Sequence, residues 1–217
     1  MSDEKSPKAL NEIGTLLFRS PPAVAIVNLI TLYRILTFPV LLLLLFAGNI
    51  ALFKWLLLAS FFTDAIDGVL ARTYKATSVL GSKLDSIGDD LTVLAATAGL
   101  FLTRFDFIRE QAAVFIFLFL LFLVQVSMSI YRYKKISTFH TYLAKTAAVV
   151  SAIFLLSVFF LDRIYHPLFY AAAVVTGIEL IEEIILVFRL REYRSNVMGL
   201  YWVLRERRRT GTETSET

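Results

Sequence analysis

Four aspartates are the residues best suited to chemistry, because they lie close together in a strongly apolar chain. They are Asp64, Asp67, Asp85 and Asp89. Side chains three or four positions apart share one face of a helix, so Asp64 and Asp67 form one pair and Asp85 and Asp89 form another. If a short connection makes the two helices antiparallel neighbours, the four carboxylates can converge on one point.

A cluster of four carboxylates needs positive charge, since desolvation and mutual repulsion would otherwise force protons onto them. One divalent cation, or two, would supply this charge. Oxygen ligands without histidine or cysteine favour magnesium or manganese over zinc, and the chain has no cysteine. Such ions bind phosphate oxygens while one carboxylate can still accept a proton. The pattern therefore indicates a metal-dependent site for phosphate chemistry.

Small residues accompany the aspartates at Gly68, Ala71 and Gly81. Without bulky side chains there, a nucleotide or a diphosphate can approach the helix backbone closely. Asp90 projects about 100° away from Asp89 around a helix, so we expect an accessory polar group rather than a metal ligand. A purely structural interpretation, with the aspartates as helix caps or salt-bridge partners, leaves the small residues unexplained.

The elements that position these residues are predicted to be membrane helices. Apolar residues make up 57% of the 217 positions and charged residues 18%, whereas about a quarter of the residues in soluble domains are charged. A stretch of roughly 20 apolar residues can span a bilayer. Six stretches qualify: 24–47, 50–71, 80–103, 111–131, 141–161 and 166–188. Because lipid offers the backbone no hydrogen-bond partner, we expect an all-α integral membrane protein with six transmembrane helices.

Three regions are predicted along the chain. Residues 1–22 form a cytoplasmic amphipathic segment, in which 8–18 is an interfacial helix. Residues 23–189 form the six-helix transmembrane domain with the candidate catalytic residues, and residues 190–217 form a basic cytoplasmic tail.

The distribution of lysine and arginine predicts the orientation. These residues are more frequent in the connections on the side of both termini, including the connection that follows Arg72. Both termini and the aspartates should therefore face the cytoplasm, and we expect the protein in the inner membrane of the cell. The arginines of the tail favour contact with lipid headgroups over binding of nucleic acid.

Together these residues form the motif Asp64-x2-Asp67-Gly68-x2-Ala71-Arg72-x8-Gly81-x3-Asp85-x3-Asp89. This motif resembles the signature of the CDP-alcohol phosphotransferase (phosphatidyltransferase) family, and every position of the signature is filled. The six-helix layout is also similar to that family, and so is Asn28-Leu-Ile-Thr31-Leu-Tyr-Arg34 in the first apolar stretch. The resemblance implies a phospholipid-biosynthetic transferase. Such an enzyme moves a phosphatidyl group from a CDP-linked lipid such as CDP-diacylglycerol to an alcohol and releases CMP.

The same resemblance implies roles for individual residues. Asp64, Asp67 and Asp85 would bind a pair of Mg²⁺ or Mn²⁺ ions. Asp89 would share the second ion and act as the catalytic general base. The residues implied to contact CDP are Gly68, Ala71, Arg72, Gly81, Asn28 and Thr31. Members of the family are often homodimers, so the resemblance also leads us to expect a homodimer.

The acceptor alcohol is less well defined. Arg132, Lys135 and Lys145 could surround the phosphate of a phosphorylated acceptor. Equally, Lys145 could pair with a glutamate of the last apolar stretch or extend to the membrane interface. Glycerol phosphate, inositol phosphate, inositol, serine and another lipid headgroup all stay open as acceptors.

Two other functions compete with phosphatidyl transfer. An intramembrane prenyltransferase also binds a diphosphate through aspartate-rich helices and magnesium, but it usually has a longer chain and lacks the Gly68, Ala71 and Arg72 pattern. A cation transporter would also need acidic groups, which are expected near the middle of the membrane rather than at one face.

Overall fold

The computed structural model describes residues 22–73, 79–134, 139, 141–190, 197–203 and 205, with side chains for all of these except 22–28, 67–73 and 79–86. Seven helices with assigned bounds occur in this part of the chain, residues 200–203 and 205 are also helical, and no strand occurs there. The helices are α1 Pro22–Phe46, α2 Ile50–Thr73, α3 Val79–Thr103, α4 Phe105–Glu110, α5 Ala112–Tyr133, α6 Tyr142–Phe160 and α7 His166–Arg189. The six long helices coincide with the six apolar stretches, which confirms the all-helical prediction, and the short α4 is an addition to it.

Two helix starts show how polar side chains set the boundaries. Gly48 has a φ of +71°, a conformation that suits glycine, in the short turn after α1. Asn49 follows, and its Oδ1 accepts a hydrogen bond of 3.1 Å from Leu52 N in the first turn of α2. Thr141 caps α6 in the same way, because its side chain accepts from Ala144 N at 3.0 Å. These hydrogen bonds fix where α2 and α6 begin, and α2 packs directly against α1 after its short turn.

Three stretches in the described part of the chain are long and apolar enough to cross a membrane: Leu29–Phe46, Ala112–Tyr133 and Tyr142–Phe160. Large apolar side chains along α5, such as Phe117 and Phe119, are more than half exposed, which suits hydrocarbon as the surrounding solvent. The other long helices carry more charged residues, so their crossing of the membrane stays a prediction. The interfacial helix expected at 8–18 lies outside the described residues.

The chain forms two compact units, with the boundary between Thr103 and Arg104. In the first unit, α1 packs against both α2 and α3, more extensively than α2 and α3 pack against each other. The buried stripes are Thr31, Arg34, Thr37, Leu41 and Leu45 on α1, Phe53, Leu57 and Ser60 on α2, and Thr92, Ala95, Ala96 and Leu100 on α3. Each stripe is polar towards one end and apolar towards the other, so the first unit has a polar end in its core.

In the second unit, α7 packs against both α5 and α6. Near the end of α7, a core cluster consists of Phe139, Leu186, Val187, Leu190, Val197 and Val203. Near its start, Phe169 packs against Phe107 and Phe154, with ring centroids 4.9 and 5.4 Å apart. The predicted regions 1–22, 23–189 and 190–217 stay a prediction.

Candidate active site

Arg34 joins two of the four predicted carboxylates at the polar end of the first unit. A single guanidinium nitrogen, Arg34 Nη1, contacts both Asp64 Oδ1 and Asp89 Oδ1. The arginine side chain is fully buried, whereas those of Asp64 and Asp89 are 39% and 44% exposed. The carboxylates therefore form the accessible side of the cluster, and the guanidinium lies behind them.

Each member of this cluster comes from a different helix. Arg34 lies on α1, Asp64 on α2 and Asp89 on α3. The contacts with Arg34 bring Asp64 and Asp89 together, and the convergence of all four carboxylates stays a prediction. The element that joins them is α1, however, and its arginine supplies a positive charge that the expected face-to-face packing of α2 and α3 did not include.

The backbone of α3 approaches the guanidinium closely at Gly88. A Cβ added at this glycine would stand 3.5 Å from Arg34 Cζ, in ordinary van der Waals contact. One turn further on, Thr92 Oγ1 donates a hydrogen bond of 2.9 Å to Gly88 O and is itself buried. A side chain larger than that of alanine at Gly88 would compete with the guanidinium for space.

The other predicted metal ligands and CDP contacts lie beside this cluster along the same helices. The last turns of α2 carry Asp67, Gly68, Ala71 and Arg72, the first turns of α3 carry Gly81 and Asp85, and Asn28 lies in α1. The side chains at these positions lie outside the described ones, so their roles stay predictions. Thr31 is described and is 1% exposed, one turn before Arg34 on the same face of α1, and its contact with CDP also stays a prediction.

The donor chemistry of the cluster suits Mg²⁺ or Mn²⁺. Asp64 and Asp89 offer carboxylate oxygens that meet at one atom, and hard cations prefer such ligands. Among the described side chains, no three acidic or histidine groups stand close enough to hold a metal ion. A complete site would therefore need Asp67 and Asp85 as well, as the sequence predicts.

The predicted acceptor residues belong to the second unit. Arg132 Nε donates a hydrogen bond of 3.1 Å to Leu190 O, which ties the end of α5 to the end of α7. Lys145 is exposed, and its Nζ lies 5.7 Å from the centre of the Tyr142 ring. Lys135 lies outside the described residues. The binding of an acceptor by these three residues stays a prediction.

The glutamates of α7 bind groups other than Lys145. Glu183 is buried and accepts hydrogen bonds from Gln125 Nε2 at 2.6 Å and from Phe139 N at 3.0 Å. Glu182 Oε1 accepts from Leu200 N at 2.9 Å. These contacts hold the connection before α6 and the segment at 197–203 against α7, so both glutamates have a structural role.

Arg34 is the functional candidate that the sequence prediction missed. The sequence contains a signal for it, because an arginine within an apolar membrane helix is costly unless it finds an acidic partner. The first carboxylates after Arg34 in the sequence are those of Asp64 and Asp67, in the next helix. A search for the partner of each charged residue in an apolar stretch would therefore have linked Arg34 with the aspartates.

The CDP-alcohol phosphatidyltransferase family matches the chain over residues 24–181. The matched range covers more than half of the chain and includes Arg34, Asp64 and Asp89. The chain belongs to this family. Members of the CDP-alcohol phosphatidyltransferase family are transferases of phospholipid synthesis, and with the three apolar helices this membership makes the chain an integral membrane protein. No curated protein and no solved structure matches the chain significantly.

Proposed function

We propose that the chain transfers a phosphatidyl group from CDP-diacylglycerol, or a related CDP-linked lipid, to the hydroxyl group of a small alcohol and releases CMP. The main support is the meeting of Asp64 and Asp89 at Arg34, within the range that matches the family. Carboxylates gathered at one point are what a metal-assisted transfer of a substituted phosphate needs.

In this proposal Asp89 is the general base. The acceptor hydroxyl gives its proton to the Asp89 carboxylate, and its oxygen forms a bond to the lipid-side phosphorus. The bond between that phosphorus and the oxygen of CMP breaks, and CMP leaves with the bonding electrons. With 44% of its side chain exposed, Asp89 is accessible to a substrate hydroxyl, as a general base must be.

The remaining roles follow the motif. Asp64, Asp67 and Asp85 would hold two Mg²⁺ or Mn²⁺ ions, and Asp89 would share one of them. When bound, these ions would neutralise the charge of the diphosphate. The CDP moiety would contact Gly68, Ala71, Arg72, Gly81, Asn28 and Thr31.

An apolar groove on the first unit supports a lipid as the donor. It has a volume of about 440 Å³ and is lined by Leu29, Leu32, Tyr33, Leu36, Thr37, Val40 and Leu56. Thr37, which lines the groove, lies one turn after Arg34 on the same face of α1, so an acyl chain in this groove would lie about one helical turn from the carboxylate cluster. An apolar groove near a carboxylate cluster would suit a donor that is part lipid and part nucleotide.

The cytoplasmic face of the inner membrane is the proposed location of the site. The excess of lysine and arginine around the termini supports this orientation, and CDP-linked substrates carry a water-soluble nucleotide that is available there. We also propose a homodimer, as in other members of the family.

Release of CMP from CDP-diacylglycerol is the direct test of the proposal. Purified protein would be assayed with Mg²⁺ or Mn²⁺ against glycerol phosphate, inositol phosphate, inositol and serine. We expect CMP release that depends on one of these acceptors or on another lipid headgroup. Folded, metal-loaded protein that releases no CMP with any acceptor would contradict the proposal. Consumption of prenyl diphosphate, or cation flux without a lipid product, would then identify the competing functions.

A further inference from the structure

We propose that Arg34 is a positioning residue for the metal site: it holds Asp64 and Asp89 in the orientation in which both can bind a divalent cation. This inference rests on the proposed function, because it assumes that the two aspartates are metal ligands. Arg34 lies on α1, outside the aspartate motif, so the proposal extends the site to a third helix.

The carboxylates of Asp64 and Asp89 have the capacity to bind Arg34 and a cation at the same time. Arg34 Nη1 contacts Oδ1 of Asp64 and Oδ1 of Asp89. A carboxylate has two oxygens with about four lone-pair sites in total, so one oxygen can bind a guanidinium while the other binds a cation. Groups that ligate metals are commonly oriented by such a second hydrogen bond. The geometry is therefore compatible with a carboxylate that serves both partners.

Burial makes Arg34 a fixed support rather than a mobile counter-ion. Its side chain is fully buried, between Thr31 and Thr37 along the buried face of α1 and against Gly88 of α3. A long side chain at the surface would lose conformational entropy each time it oriented a partner. Because folding already immobilises Arg34, the arginine can hold α2 and α3 at one spacing before any cation binds.

The sign of the effect separates positioning from simple electrostatics. A guanidinium beside a cation site repels the cation, so its removal would tighten metal binding if charge alone mattered. A positioning role predicts the opposite, because the two carboxylates would lose their common orientation. Loss of an orienting partner of this kind typically weakens metal affinity by about 10–100-fold.

Binding of Mn²⁺ by the full chain in detergent tests the proposal without any assay of turnover. The variants are Arg34→Gln and Arg34→Lys, with dissociation constants measured by electron paramagnetic resonance of free Mn²⁺. We expect Arg34→Gln to weaken Mn²⁺ binding by about 10–100-fold. Arg34→Lys should weaken binding as well, because an ammonium group retains the charge but lacks the planar guanidinium fork.

Arg104→Gln is the matched control. Arg104 lies between α3 and α4, and it donates to the backbone oxygens of Val158 and Leu161 in the second unit, both at 3.4 Å. Its removal should leave the Mn²⁺ dissociation constant unchanged. Circular dichroism and thermal unfolding without metal would show which variants fold. If Arg34→Gln does not fold, the Mn²⁺ dissociation constant of Arg34→Lys tests the positioning role.

Each outcome bears on a separate claim. Equal or tighter Mn²⁺ binding by a folded Arg34 variant would overturn the positioning role and leave the proposed function intact. A wild-type protein that binds no Mn²⁺, yet releases CMP without metal, would overturn the metal site and Arg34's role together while the phosphatidyl transfer stands. A wild-type protein that binds Mn²⁺ but releases no CMP would contradict the transfer alone.

Discussion

Arg34 and Asp89 are 55 positions apart in the sequence, and a guanidinium nitrogen of the first contacts a carboxylate oxygen of the second. This ion pair joins α1 to α3 at the polar end of the first unit. Asp89 also stands at the end of the aspartate motif, where the family resemblance implies the general base. The residue therefore has a structural partner and a proposed chemical role, and the two can be separated by substitution.

We expect Asp89→Asn to slow turnover strongly while metal and CDP-lipid binding persist. Asp64, Asp67 and Asp85 would still hold the ions, but an amide cannot take the proton of the acceptor hydroxyl. General-base catalysis contributes about 10²–10⁴-fold to a rate, so CMP release should fall by about that factor. The measurement is kcat for CMP release, together with the binding of Mn²⁺ and of a CDP-lipid.

Asp90→Asn is the control for this variant, since Asp90 is the next residue on α3 and is exposed. Its kcat should stay close to the wild-type value. A normal kcat in Asp89→Asn would remove Asp89 from the role of base, and an equal loss in both variants would point to a general effect of charge on this helix.

Removal of divalent cations should stop the reaction. In the proposed function the aspartates need cations to hold the diphosphate, so a chelator such as EDTA should abolish CMP release, and added Mn²⁺ or Mg²⁺ should restore it. Ca²⁺ should restore less, because it prefers more ligands at longer distances. CMP release that continues at the full rate in excess EDTA would show that the carboxylates work without a metal.

Local patterns in the sequence predict the helices and place the four aspartates at the adjoining ends of two of them. The six long helices depend on runs of apolar residues, and the shared faces of Asp64 with Asp67 and of Asp85 with Asp89 depend on helical spacing. Arg34 depends on long-range packing instead, because its partners lie 30 and 55 positions away and are chosen by how α1 packs between α2 and α3. An arginine in an apolar helix signals the need for an acidic partner, but the local pattern does not determine which carboxylates contact it.

The hydrogen-bond partners of Glu182 and Glu183 on α7 cannot be predicted from the sequence for a related reason. Glu182 and Glu183 accept hydrogen bonds from the backbone amides of Leu200 and Phe139. Every residue except proline has such an amide, so the residue types at positions 139 and 200 do not indicate that a glutamate binds there. The pairing becomes visible only when the connections are placed in space.

Glu183→Ala should destabilise the second unit. The substitution removes the acceptor that Gln125 Nε2 and Phe139 N share in a buried position. The loss of such a partner costs about 1–3 kcal/mol for each buried group, so the midpoint of thermal unfolding should fall by roughly 5 °C or more. Glu110→Ala is the control, because Glu110 is exposed at the end of α4. Equal midpoints for the two variants would contradict a structural role for Glu183.

Lys145→Gln tests whether Lys145 takes part in binding the acceptor. If Lys145 binds the phosphate of a phosphorylated acceptor, the variant should raise the KM for that acceptor by about tenfold, in line with a lost charge-assisted hydrogen bond, and should leave the KM for CDP-diacylglycerol unchanged.

Lys134→Gln is a close control, because Lys134 is also exposed and its Nζ also lies 5.7 Å from the centre of a tyrosine ring, that of Tyr131. A rise in KM for Lys145→Gln alone supports acceptor binding. Equal KM values for both variants and the wild type would assign Lys145 to the membrane interface, where a long cationic side chain above an aromatic ring is stable without a substrate.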